Sequence, residues 1–154
     1  MSDRRDPFGA FYFTVEIYGE NLSYPFRSCS GLRDESTVVE ISEGGRLHPH
    51  KRIGEVKYPN LVLKRGFCMA TSELYKLRQA AKNNIPASPN NSPRFSGVIT
   101  QLGSGSARAR WRFLGGWICK WEGPDLDASK NEISIESIEI AHEGLEMLKE
   151  KPAT

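Results

Sequence analysis

His48-x-His50, inside a loop rich in Gly and Pro, has a spacing that could begin a metal site. Such a pair can open a metal site, but His142 is far along the chain and no cysteine falls within ligand spacing, so the pair reads as part of a solvated basic loop. The three cysteines, Cys29, Cys68 and Cys119, are odd in number and widely spaced, which fits free thiols in a reducing compartment better than a disulfide framework. A nucleophilic cysteine needs a base and an electropositive setting. Cys119 has apolar strand neighbours, and Cys29 and Cys68 lack any activating context, so all three read as inert thiols. Gly44-Gly45 and Gly103-x-Gly105 lack the strand-to-helix setting and the Lys-Ser/Thr of a phosphate cradle, and read as turns. No catalytic residue, metal or cofactor is expected.

Arg108, Arg110 and Arg112, close to Trp111, Trp117 and Trp121, form the basic and aromatic mixture of a single-strand nucleic-acid binder. Strand side chains alternate with period two, however, so Trp111 points away from the arginines, and stacking and phosphate contact fall on different faces. The formal net charge is only +2, from 21 Lys+Arg against 19 Asp+Glu, which argues against phosphate as the main partner. The arginine row is expected instead to meet acidic side chains across a sheet or a subunit interface. A monomeric β-barrel binding single-stranded nucleic acid is the competing reading.

The elements that must position these residues are mostly strands. Phe11 to Tyr18 alternates cleanly, with Phe11, Phe13, Val15 and Ile17 on one face. Ser23 to Ser28 reads as a short return strand interrupted by Pro25, and Ser36 to Ile41 as a β-branched strand. Ser42 to Glu55, with its glycines, Pro49 and basic side chains, is expected as a long exposed loop. Asn60 to Arg65 is a strand. Thr71 or Ser72 can cap a helix carried by Leu74, Leu77 and Ala81 and ended by Asn83-Asn84 and Pro86, with Pro86 to Pro93 a loop. Phe95 to Leu102 and Ala107 to Leu114 flank Gly103-Ser104-Gly105-Ser106 as a hairpin, and Trp117 to Trp121 reads as a further strand after Gly115-Gly116. In Glu132 to Ile140 the isoleucines change phase, so either both faces are buried or a β-bulge lies near Glu136-Ser137. Leu145 and Leu148 at helical spacing suggest a short terminal helix.

At 154 residues and 38% hydrophobic, one domain with one core is expected, needing neither disulfides nor a structural metal. No apolar run approaches the roughly 20 residues of a spanning helix, and the N-terminus carries no targeting signal, so no membrane binding by the subunit alone is expected. About seven strands with regular turn signals and one helix predict an antiparallel β-barrel or sandwich with a flanking α-helix. Long antiparallel strands must protect their edges or pair them with another chain.

Asp6-Pro7-Phe8, Phe13-x-Val15-Glu16-Ile17 and Ser30-Gly31-Leu32, then Glu43-Gly44-Gly45, Gly54, Tyr58-Pro59-Asn60-Leu61 and Leu63-Lys64-Arg65-Gly66 follow in order. The closing third adds Lys120 to Leu126, Ala128, Asn131-Glu132 and Ile140-Ala141-His142-Glu143-Gly144-Leu145. Together these resemble the tail tube proteins of contractile phage tails and extracellular contractile injection systems, over nearly the whole chain. The resemblance implies a single tube-like domain over 1–154, with an N-terminal arm at 1–8, a long hairpin loop at 42–56 and a C-terminal tail at 145–154. It implies hexameric rings stacked into a hollow inner tube, with the chain itself, a sheath protein, baseplate and tube-terminating proteins and lumenal cargo as partners, and no catalysis. The protein is then made in the bacterial cytoplasm and ends in an assembled tail or injection particle, as the repeated tube subunit or as a first-ring initiator at the baseplate. By position, Glu43, Gly44, Gly45, Arg46, His48, Lys51, Arg52 and Gly54 become contact candidates between subunits, and Arg108, Arg110 and Arg112 an interface or lumen row. Trp117, Trp121 and Pro124 become core and corner residues, and His142 and Glu143 either a contact or an end-of-strand pair.

Overall fold

The computed structural model describes residues 12–17, 20–66, 73–83, 94–102, 107–131 and 133–148, with the backbone alone at 12, 20–25, 73, 107 and 108. The expected 1–8 arm, Cys68, the Thr71 or Ser72 cap, the Pro86–Pro93 loop and the Gly103–Ser106 turn lie outside the described residues. The alternating N-terminal segment forms β1 (Tyr12–Ile17), followed by β2 (Glu20–Pro25) and β3 (Ser28–Ser30). Then come β4 (Glu35–Ile41), β5 (His50–Lys57), β6 (Leu61–Gly66), α1 (Glu73–Lys82), β7 (Phe95–Leu102), β8 (Ala107–Glu122), β9 (Ile135–Ala141) and β10 (Gly144–Leu148). All pairings are antiparallel, in the order β2-β1-β7-β8-β9-β6-β3, with β10 also on β8 and β4-β5 a separate pair.

The expected return strand is two strands. Pro25 cannot donate to a ladder and closes β2, which pairs with β1. The chain then crosses over: Phe26 enters the core, the Arg27 amide donates to the Lys64 carbonyl at 2.7 Å, and β3 joins β6. This corner links the two ends of the strand path, so the sheet folds back around one core. Val15, Ile17, Leu61, Leu63, Ile99, Phe113, Ile118, Ile138 and Ile140 fill that core. Leu74 and Leu77 add one face of α1, whose Arg78 donates to the Ile118 carbonyl at 3.0 Å where β8 bulges between Ile118 and Lys120.

Three further expectations are corrected. The two strands expected on either side of Gly115-Gly116 are one 16-residue strand, β8, bent at Gly115, where φ is +60°. The Ser42–Glu55 loop is loop only in its first half, because β5 begins at His50. The terminal helix is the strand β10, whose register on β8 continues that of β9: Ala141 faces Trp117 and Gly144 faces Leu114. Leu145 there packs on the core, while Leu148, three residues on, stands on the opposite face of the strand.

The phase change in β9 has a different cause from either alternative. Its register on β6 is regular, and its buried face is Glu136, Ile138 and Ile140. Glu136 occupies a core position because Arg65 stands opposite it in β6 and the two form a buried ion pair. Trp121 Nε1 donates to Glu136 Oε2 at 3.3 Å, and the Arg65 guanidinium lies 5.9 Å from the Phe26 ring centroid.

Two outcomes test this account. Glu136→Ala leaves Arg65 buried beside no carboxylate and should destabilise the fold by about 3–5 kcal/mol in a denaturant titration; a loss below about 1 kcal/mol would show that the pair is dispensable. Val62 has ladder partners on both sides, Ser30 in β3 and Glu139 in β9. Val62→Pro should therefore prevent folding, read by loss of the β-sheet circular dichroism signal.

Candidate assembly surfaces

Among the described residues, β4 and β5 form ladder bonds only with each other, so they stand off the barrel as an arm. Gly45, at φ +95°, turns the chain between them, with Arg46 paired to Glu43 at 3.8 Å. A bulge opposite Thr37 shifts the register, and Gly54 is required there because a Cβ would run into the Thr37 backbone and hydroxyl. Glu35 faces Lys57 and Glu40 faces Lys51, while Arg52 faces Val39. Val38 and Ile53, on the face that also carries Glu40 and Lys51 and opposite to Val39 and Arg52, are direct cross-strand partners, 62% and 90% exposed, with Val56 beside them and Leu47 near the tip also exposed. His48 and His50 are exposed along the same limb. A two-stranded hairpin is marginal alone in water, and an exposed apolar face on one marks a contact surface. The contact candidates from Glu43 to Gly54 thus fall on one arm. Its apolar face was not singled out from the sequence, because alternation fails where neither side of a hairpin meets its own core.

The base of the arm is fastened at the Leu61 end of β6. Gly31, at φ +93°, lies so close to the Asn60 carbonyl that no Cβ fits. Asn60 Nδ2 donates to Glu139 Oε1 at 2.8 Å. His142 places Nε2 3.0 Å from the Pro59 carbonyl and Nδ1 3.1 Å from the Gly144 carbonyl, with its ring against Tyr58 and Phe113. Glu143 pairs with Arg94.

Arg110 and Arg112 project from the sheet face opposite Trp111 and Phe113, and the Arg108 side chain lies outside the described residues. The registers set Glu16, Val98, Arg112 and Glu146 in one row across β1, β7, β8 and β10, with Thr14, Thr100 and Arg110 in the next. Arg112 forms an ion pair with Glu146. The face is therefore of mixed charge, and Trp111 packs against the core on the other side. Trp121 packs against the core and meets Tyr75 of α1 edge-on at 5.3 Å, while Trp117 and Pro124 are half-buried.

Burial pushes the Cys29 thiol up to about 12. Burial first and the Glu139 charge second raise that of Cys119, whose Sγ donates to the Glu139 carbonyl at 3.3 Å. Both are held as thiols. Among the described residues, no three His, Cys, Asp or Glu side chains converge as a metal site, and no helix is long and apolar enough to cross a membrane.

The 123–134 connection between β8 and β9 carries Leu126 and Ile133, 87% and 75% exposed, around a cleft.

Comparison with known proteins bears on the whole assembly. No curated protein matches the sequence. The tube-containing sheath complex of the PVC extracellular contractile injection system, in its extended state, matches at 21% identity and a TM-score of 0.78, covering 94% of this chain and 93% of that one. The tube-terminating cap of the anti-feeding prophage matches at 20% identity and 0.78, covering 97% and 100%. Hcp1 from Flavobacterium johnsoniae is more distant, at 14% and 0.56, covering 89% and 94%. These likenesses are of fold. The family model for the T4-like virus tail tube protein gp19 matches residues 9–146, and the chain belongs to that family, as a tail tube protein of contractile injection systems.

Proposed function

We propose that this chain assembles into hexameric rings that stack as the hollow inner tube of a contractile particle, a conduit for cargo inside a sheath. The observation that carries the reading is the arm: a hairpin with an exposed apolar face and no ladder partner in its own barrel among the described residues. A protein of this size gains nothing by exposing Val38, Ile53 and Leu47 to water unless another chain covers them.

The ring has its own support in the sheet edges. The strands β2-β1-β7-β8-β10 form a run whose outer members, β2 and β10, each pair on one side only among the described residues. Pairing the β10 edge of one subunit with the β2 edge of the next removes both edges and closes the sheet around an axis, a head-to-tail contact. The mixed row of Glu16, Arg112 and Glu146 with Arg110 then lies on the face away from the core, where it lines the channel. Sheath, baseplate and terminating proteins bind the outside and ends of such a tube. The subunit acts by shape and contact and performs no chemistry. It is synthesised in the bacterial cytoplasm and works as part of the finished particle.

Negative-stain electron microscopy of the purified protein, alone and co-expressed with its sheath and baseplate neighbours, tests the proposal. Rings or tubes are expected. Tubes that form only with a baseplate template would assign the chain to the first ring, and dispersed monomers in every sample would overturn the assembly. The double variant Val38→Lys, Ile53→Lys should abolish tubes while leaving the monomer's stability within about 0.5 kcal/mol, because both side chains are exposed in the subunit. Salt-dependent oligonucleotide binding by monomers, lost on Arg110→Glu, is the result the nucleic-acid reading requires.

A further inference from the structure

His142 stands where three parts of the chain meet: the bend between β9 and β10, the bend of β8 opposite it, and the 58–60 link that joins β5 of the arm to β6. Both of its ring nitrogens face carbonyl oxygens, Nδ1 that of Gly144 at 3.1 Å and Nε2 that of Pro59 at 3.0 Å. A carbonyl oxygen only accepts. The neutral imidazole has a single N–H, so it serves one of these carbonyls and turns a lone pair toward the other, whereas the doubly protonated ring donates to both.

The surroundings leave this choice to the two carbonyls. Tyr58 is the titratable side chain in contact with the ring, and with Phe113 it places aromatic rings 5.7 and 6.3 Å away, centroid to centroid, about the reach of a cation–π contact. The carboxylates nearest along the chain are engaged elsewhere: Glu139 accepts from Asn60 Nδ2 at 2.8 Å, and Glu143 pairs with Arg94. Residues 113–117 of β8 and Gly144 of β10 bring no charge to the corner, and Lys57 at the end of β5 faces Glu35 across the arm. His142 forms no ion pair among the described residues.

We propose that His142 is a proton-operated latch on the root of the arm: doubly protonated, it donates through Nε2 to the Pro59 carbonyl and holds the 58–60 link against the β9–β10 bend, and neutral, it releases that carbonyl. The long-range bond is the one that gives. Gly144 lies two residues along the same chain, so the local bend keeps its carbonyl at Nδ1, whereas Pro59 is 83 residues away and withdraws with the arm. The unfolded chain has neither contact, so folding favours the protonated ring, and the latch adds stability on the acid side of the histidine range and loses it as pH rises. The device works within one subunit and goes beyond the stacked-tube reading, because it holds whether or not subunits stack.

The test uses the full untagged chain carrying His48→Gln and His50→Gln, which removes the two exposed histidines of the arm and leaves His142 as the remaining one of three. Denaturant titrations at about pH 5.5 and about pH 8, with and without His142→Gln, read the latch. The advantage of His142 over glutamine in the unfolding equilibrium constant should be at least about threefold larger at the acid pH. An equal advantage at both, or a larger one at the alkaline pH, would overturn the proposal. NMR of the same chain with His142 intact keeps the test decisive if the glutamine variant does not fold. At the acid pH both ring nitrogens should carry protons, and the Pro59 carbonyl carbon resonance should move as the ring loses one. A ring found as a single neutral tautomer at the acid pH, or a Pro59 carbonyl that ignores the titration, would count against the latch.

Discussion

The bend in β8 is the constraint on which the other elements depend. A 16-residue strand cannot stay flat while pairing with β7 and β10 along one stretch and β9 along the other in a sheet that wraps one core, and Gly115-Gly116 is where it turns. The turn works because of Phe113. Its ring lies where a Cβ on Gly97 or Gly116 would strike it, so both glycines are needed to admit it, and it meets Phe95 edge-on at 6.0 Å. Opposite the bend, His142 and Glu143 interrupt the strand that runs as β9 and then β10, and the Glu143 amide still donates to the Leu114 carbonyl at 2.8 Å. The two bends coincide, so the register survives them. The base of the arm is attached at this same corner through His142 and Pro59, which ties the direction of the arm to the curvature of the barrel.

The buried pair of Arg65 and Glu136 is the core's polar exception. Such a pair contributes little beyond what well-packed apolar side chains supply, but it penalises any register that separates its partners. A one-residue slip of β6 against β9 moves each side chain to the opposite face and leaves two buried charges apart. The indole of Trp121 and the ring of Phe26 extend that requirement to β8 and to the corner between β2 and β3.

Much of this was legible in the sequence wherever a segment faces the core on one side. Phe13, Val15 and Ile17 declared β1 by alternation, Leu74 and Leu77 declared α1 by their spacing, and Gly115-Gly116 marked a real discontinuity even though the chain bends there instead of turning. The rest was illegible for physical reasons. β5 alternates against no core, so His50 to Glu55 resembled part of a basic loop. Leu145 and Leu148, three residues apart, fit a helical period, and only the pairing with β8 makes the segment a strand with the two leucines on opposite faces. Glu136 made the strand's phase look broken because a carboxylate held an apolar position, and its justification lies in Arg65, 71 residues earlier. Arg110 and Arg112 share a face as alternation in β8 requires, yet Glu146, which meets Arg112, becomes their neighbour only through β10.

An arm without support from its own barrel also bears on how assembly starts. On the stacked-tube reading, the hairpin's order is stabilised fully only when another copy covers it, so the first contacts between free subunits must bear the cost of fixing two strands for little gain. On the same reading, later copies meet a ring whose arms are already arrayed together, and each addition engages more than one of them. On the stacked-tube reading, growth is therefore separated from initiation by a kinetic barrier. Dilute subunits persist unassembled until a template presents the first complete layer, and tube number follows the supply of templates more closely than the supply of subunits.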